Sequence, residues 1–151
     1  MNVVDHNALF ERGQRLLQAG RHREALACFE EALRLEPGDA AALSHRGLCL
    51  ALYEGRTDEG IADCRRAVDL EFYRADHYLN LGRVLLSAGR KREAVQAFRQ
   101  GRTVDPRHPA ILRELEALGI RRQPVLRWLP RSHFLNRHLG RLRARLGGLW
   151  S

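Results

Sequence analysis

Two stretches of this 151-residue chain repeat each other almost residue for residue. The run Leu16-Leu17-Gln18-Ala19-Gly20-Arg21-His22-Arg23-Glu24-Ala25 returns as Leu85-Leu86-Ser87-Ala88-Gly89-Arg90-Lys91-Arg92-Glu93-Ala94, and each run goes on to a phenylalanine, Phe29 and Phe98. The offset of 69 residues is two periods, one of 34 and one of 35, so a middle copy must begin near residue 40. Leu43, Gly47, Leu50 and Ala67 take the places of Leu9, Gly13, Leu16 and Ala32 once one extra residue is admitted. A period of this length means one supersecondary unit stacked on itself, because a single short unit cannot bury its own apolar face.

The unit is a helical hairpin. Gly13, Gly47 and Gly82 fall inside helical runs, where glycine costs about 1 kcal/mol relative to alanine. A cost that recurs three times at one register predicts close approach of a neighbouring helix. Gly20 and Gly89 stand at the ends of the first helices, where a left-handed cap residue is wanted. Ala25 and Ala94 keep the second helix close to the first, with Phe29 and Phe98 filling the layer between repeats. Pro37 and Pro106 stop the second helices, since proline cannot continue a helix.

This arrangement resembles the tetratricopeptide repeat. The motif residues are Leu9, Gly13, Leu16, Ala25, Phe29, Ala32 and Pro37 in the first copy, and Tyr78, Gly82, Leu85, Ala94, Phe98, Gly101 and Pro106 in the third. The middle copy is degenerate: Gly60 and Cys64 replace the small residue and the aromatic, and Phe72 stands where proline is expected. Its extra residue is placed in the turn around Glu54-Gly55-Arg56. The resemblance implies an all-α fold, a right-handed α-solenoid of three hairpins over residues 6–39, 40–74 and 75–108. Such a solenoid needs a polar cap on its last hairpin. Residues 109–118 supply one, with Ile111, Leu112, Leu115 and Leu118 in a stripe and Gly119 closing it, which makes a domain of seven helices over residues 6–119.

In this family the first helices line a concave groove that takes a peptide or a partner helix. Carried over position by position, the resemblance implies a groove of Asn7, Phe10, Gln14 and Leu17, then Ala41, Ser44, His45, Leu48 and Leu52, then Asp76, Leu79, Asn80, Arg83 and Leu86. Some members grip a chaperone C-terminal carboxylate through a basic clamp. Here Phe10 and Gln14 replace its first Lys and Asn, His45 stands at its second Asn, and Asp76 and Asn80 replace its last two basic residues. A chaperone tail is therefore not the expected ligand, and the mixed apolar lining suits an amphipathic helix or an apolar peptide. Leu17, Leu52 and Leu86 are equally well read as packing within their own hairpins.

The formal net charge is +8, and its position matters more than its size. All 18 Asp and Glu lie between Asp5 and Glu116, and residues 1–119 hold 18 of the 26 Lys and Arg, so the repeat body is neutral. The other eight are Arg121, Arg122, Arg127, Arg131, Arg137, Arg141, Arg143 and Arg145. Residues 120–131, with Pro124, Pro130 and the apolar Trp128, read as an extended connector. From Ser132 a helix is expected to residue 149, because Leu135, Leu139, Leu142, Leu146 and Leu149 recur at the 3.5-residue period of a coiled-coil seam. Arg137, Arg141 and Arg145 run down its other side. Such a basic amphipathic helix suits the solenoid itself as an internal plug, a partner protein, a second copy, an anionic membrane surface or nucleic acid.

Catalytic motifs are absent: the chain has no GxxxxGK, GxGxxG, HExxH or GxSxG. Its seven histidines are dispersed and read as surface residues, and no metal or cofactor is expected. Cys28, Cys49 and Cys64 fit no CxxC spacing and fall on apolar helix positions, as buried reduced thiols do. No apolar run approaches the roughly 20 residues that span a bilayer, and residues 1–13 lack the pattern of a secretory signal. The sequence thus points to a non-enzymatic adaptor or assembly factor of the cytoplasm, with a tail-driven membrane or nucleic-acid tether as the alternative.

Overall fold

The computed structural model describes residues 5–119, and within them the chain forms seven α-helices and no strand. They are α1 (His6–Gln18), α2 (His22–Leu35), α3 (Ala40–Tyr53), α4 (Thr57–Leu70), α5 (Ala75–Ser87), α6 (Lys91–Val104) and α7 (Pro109–Ala117). They make an α-solenoid of three hairpins followed by α7, and the packing below belongs to the compact unit that ends at Leu115. The expected connector over 120–131 and basic helix over 132–149 lie outside the described residues, and with them Trp128, Leu135, Leu139, Leu142, Leu146, Arg137, Arg141 and Arg145.

Each hairpin closes the same way. Gly20, Gly55 and Gly89 adopt φ of +76°, +70° and +73°, the left-handed conformation that L side chains disfavour. The backbone N–H of Arg21 donates to the carbonyl of Leu16, and that of Arg90 to Leu85, five residues back. In the middle copy Arg56 reaches back six, to Leu50, so the extra residue lies between Leu50 and Arg56.

The mid-helix glycines are where the helices meet. A Cβ on Gly13 would lie 2.6 Å from the ring of Phe29, and one on Gly82 would stand closer still to the ring of Phe98; both rings are fully buried. The middle copy has no phenylalanine at this layer, and there the backbones touch instead. A Cβ on Gly47 would be 2.7 Å from the carbonyl oxygen of Gly60, and one on Gly60 would be 2.5 Å from that of Gly47. The degeneracy of this copy is therefore coordinated: Cys64 shrinks the layer, and Gly60 lets α4 close the gap against α3. Cys64 is fully buried and its thiol donates to the carbonyl of Ser44 at 3.5 Å. All three cysteines are free and buried, and burial pushes the Cys49 thiol up to about 12.

A second repeated device sits at the start of α2, α4 and α6. The residue before each helix is an arginine, Arg21, Arg56 or Arg90, which caps no backbone group. Instead its guanidinium grips the glutamate three residues on, as a fork on both carboxylate oxygens: Glu24 at 2.6 and 2.5 Å, Glu59 at 2.7 and 2.6 Å, Glu93 at 2.6 and 2.6 Å. These bonds hold the three carboxyls below the usual glutamate range. Exposed pairs of this kind contribute little stability, because water screens them. Within the middle copy Arg46 makes the same fork on Asp63, both bonds 2.7 Å, tying α3 to α4.

Among the described residues no helix is long and apolar enough to cross a membrane, and no group of His, Cys, Asp and Glu could hold a metal ion.

Candidate functional site: the face of the first helices

The positions expected to line a groove divide by burial. Ser44 and Asn80 are buried and bound to each other, Asn80 Nδ2 donating to Ser44 Oγ at 2.9 Å. That bond satisfies two polar groups across the α3–α5 contact, where leaving either unpaired would cost about 1–3 kcal/mol. Leu48 and Leu79 are also buried. Asn7 and Asp76 are exposed, and Phe10, Gln14, His45 and Arg83 are half-buried. Of the three leucines with two readings, Leu17 and Leu86 are half-buried and Leu52 is exposed.

Two of these positions, Phe10 and His45, meet the layer residue Phe29 in an aromatic cluster. The Phe10 ring stands edge-on to the His45 ring at 5.2 Å, and both approach Phe29, at 5.8 and 5.3 Å. His45 Nδ1 donates to the carbonyl of Ala41 at 2.9 Å, one turn back on its own helix. Burial against these rings holds the His45 imidazole below the usual histidine range. The sign follows directly. The unfolded chain takes up the proton near pH 6.5 while the folded chain resists it, so this residue destabilises the fold as pH falls below about 6.5. A melting-temperature difference between the native chain and His45→Gln that narrows or reverses on going from pH 7.5 to pH 5 is expected. A difference that is constant with pH would mean the imidazole titrates alike in both states.

The charged groups of this face are committed. Arg83 Nε donates to Glu114 of α7 at 2.8 Å, which neutralises the basic side chain nearest α7. Asp76 accepts from His108 Nε2 at 3.0 Å while remaining more than half exposed. The Nδ1 of the same imidazole accepts from the backbone N–H of Ile111 at 3.4 Å, so His108 both caps α7 and ties it to α5.

Histidine is where the sequence expectation needs correction. The histidines were expected at the surface, yet His77 is 2% exposed, with Nε2 3.0 Å from the Glu71 carboxylate. It belongs to a series that spacing did not reveal. His6 lies 3.7 Å from Asp39, His77 pairs with Glu71, and His108 pairs with Asp76, so a histidine–carboxylate tie involves each of the three turns that end a repeat. The partners sit at different offsets, and no periodic signal could have linked them. The Arg-x-x-Glu grips also went unread, although Arg21, Arg56 and Arg90 recur at the repeat spacing and that recurrence is the signal that could have found them.

Comparison with known proteins gives one family. Tetratricopeptide repeat profiles match residues 10–77 and 74–109. The small glutamine-rich tetratricopeptide repeat-containing protein 2 of Mycosarcoma maydis is 31% identical over 107 residues, covering 70% of this chain and 30% of that protein. The Hsp70-Hsp90 organizing protein of Triticum aestivum is 32% identical over 95 residues, covering 63% of this chain and 16% of that protein. The chain thus spans less than a third of the length of either relative. Among solved structures, the first repeat domain of Spaghetti (RPAP3) bound to the HSP90 peptide SRMEEVD superposes with a TM-score of 0.66 at 18% identity, covering 76% of this chain and 90% of that one.

Proposed function

Since this chain belongs to the tetratricopeptide repeat family, we propose that it is a protein-interaction adaptor that captures an apolar or basic peptide or helix on the face of α1, α3 and α5. The observation that carries this reading is the chemistry of the accessible positions. Asn7, Phe10, Gln14 and His45 offer an aromatic and amide surface, and Asp76 is an exposed carboxylate on it. Arg83, the one cation among the proposed contacts, already faces Glu114. An acidic C-terminal tail would meet a like charge at Asp76 and an Arg83 already paired with Glu114, whereas a cationic segment is attracted by Asp76 and a neutral apolar one meets no like charge.

The relative and the structural neighbour named for chaperones support the adaptor class, and this face argues for a different ligand within it. The test uses the peptide SRMEEVD as probe on the full chain. No saturation is expected up to roughly 100 μM, which corresponds to about −5.5 kcal/mol, while Asp76→Lys should gain measurable affinity. Saturation of the native chain at low micromolar peptide would refute the charge argument. For the adaptor reading itself, a peptide array probed with the full chain should return apolar and Arg/Lys-containing sequences, and Gln14→Glu with Asn7→Asp should shift the selection further toward basic ones. An array without sequence preference would count against a groove ligand of any kind.

A further inference from the structure

His45 has one ring nitrogen committed and one open. A carbonyl oxygen can only accept, so the 2.9 Å bond from Nδ1 to Ala41 puts the imidazole proton on Nδ1. Burial against the neighbouring rings keeps this imidazole neutral at neutral pH. Nε2 therefore carries a bare lone pair and acts as an acceptor. Among the described residues no donor reaches it, and unlike the Nδ1 atoms of His22 and His77 it is not sealed from solvent. It presents a fixed acceptor to whatever occupies this face.

The surrounding groups define which donor fits. The bond between Asn80 and Ser44 pins α5 to α3, and Asp76 lies one turn before Asn80 on the same side of α5. Its charge reaches the His45 imidazole, more strongly than that of Asp39. Asp39 is committed: Oδ1 caps α3 by accepting from the N–H groups of Ala41 and Ala42, and Oδ2 lies 3.7 Å from His6. Asp76 accepts from His108 through Oδ1, and among the described residues its Oδ2 has no donor. His77, the other titratable group that acts on His45, is buried against Glu71 and out of a ligand's reach. The Phe10 ring stands 5.2 Å from the imidazole and is half-buried.

We infer that the ligand residue captured here is an arginine, whose guanidinium donates to His45 Nε2 and pairs with Asp76 beside the Phe10 ring. This rests on the capture reading above and deepens it. The two acceptors, a neutral nitrogen and a carboxylate oxygen, stand on different helices, and a guanidinium presents several N–H donors in one rigid plane. Its weak hydration suits a half-buried aromatic surface, and its charge is attracted by the ring. Lysine brings the charge but gathers its donors on one strongly hydrated nitrogen. Arg83 does not compete for Asp76, because Glu114 holds it.

Peptides returned by the array, bound to the full chain, supply the probes. Each is compared with versions in which its arginine is replaced by lysine, or by citrulline, which keeps the shape and loses the charge. Kd is expected to rise about threefold with lysine and about fivefold with citrulline. His45→Phe keeps an aromatic ring and removes Nε2, so it should abolish the preference for arginine over lysine. Asp76→Asn, at an exposed position, should weaken the arginine peptide about threefold. Heteronuclear NMR of the imidazole nitrogens reads the contact directly: the proton is expected on Nδ1 in the free chain, and the Nε2 resonance should move as the arginine peptide binds. A proton on Nε2, an Nε2 resonance that stays in place, or equal Kd for arginine and lysine would overturn the inference. An array that returns apolar peptides without arginine would also overturn it and leave the capture reading standing, whereas an array without sequence preference would remove both.

Discussion

Gly82→Leu is expected to unfold the third hairpin. Helix propensity alone would favour the change, since leucine is better than glycine in a helix interior by nearly 1 kcal/mol. Space decides otherwise. A Cβ at this position already penetrates the ring of Phe98, which is fully buried and has nowhere to withdraw, and leucine adds three more carbons. Overpacking of a close-packed core costs about 1–3 kcal/mol for modest insertions, and a branched side chain driven into an aromatic ring lies beyond that range. Against the roughly 5–15 kcal/mol that hold a typical domain together, the loss should appear as a large drop in the urea midpoint. An unchanged midpoint would mean that α5 and α6 are not in register. The contact can be isolated by pairing Gly82→Ala with Phe98→Leu. The double variant should lose less than the sum of the two singles, because the smaller side chain vacates the space that the methyl needs.

Phe29→Ala and Phe98→Ala should each cost about 3–5 kcal/mol, the usual loss for deleting a buried aromatic ring. For a domain of this size that lowers the melting temperature by about 10 °C or more. The homologous change in the middle copy, Cys64→Ala, removes one sulfur from an equally buried site and should cost only about 1 kcal/mol. Comparable losses at all three positions would show that the middle layer is not compacted through Gly47 and Gly60. The two phenylalanines differ in a further respect. Phe29 supports Phe10 and His45 at the proposed binding face, so Phe29→Ala should also weaken peptide capture at temperatures where the chain remains folded. Phe98 has no such neighbours, and Phe98→Ala should leave capture unchanged there.

These contrasts bear on how much of the protein is written locally. The hairpin period, the three mid-helix glycines, the left-handed cap residues and the phenylalanine layer were all legible in the sequence, because a repeated unit states each physical requirement more than once. Phe72 was legible as a departure from the pattern. Its exposure was not, since a residue in a turn can fold inward or outward with the same backbone bond.

Register places the candidate face on the first helices, and burial divides it. Ser44, Leu48, Leu79 and Asn80 occupy groove positions by register, yet all four are buried. Register specifies which side of a helix a residue occupies, while burial depends on how closely the next helix approaches. That approach is set by the small residues of neighbouring copies, and by the bond between Ser44 and Asn80 that joins two of them. The histidine ties are a sharper case. Their partners lie at unrelated offsets, and only the stacked repeats bring His6 to Asp39, His77 to Glu71 and His108 to Asp76.

The sequence by itself thus determined the unit, its number of copies, its cap and the neutrality of the repeat body, because each follows from periodicity and composition along the chain. The tertiary structure alone decided which positions of the first helices are exposed, how a degenerate middle copy closes its layer, and that Phe72 and Tyr73 stand exposed. Those depend on distances between residues far apart in sequence, and a periodic pattern contains no information about how tightly its copies are pressed together.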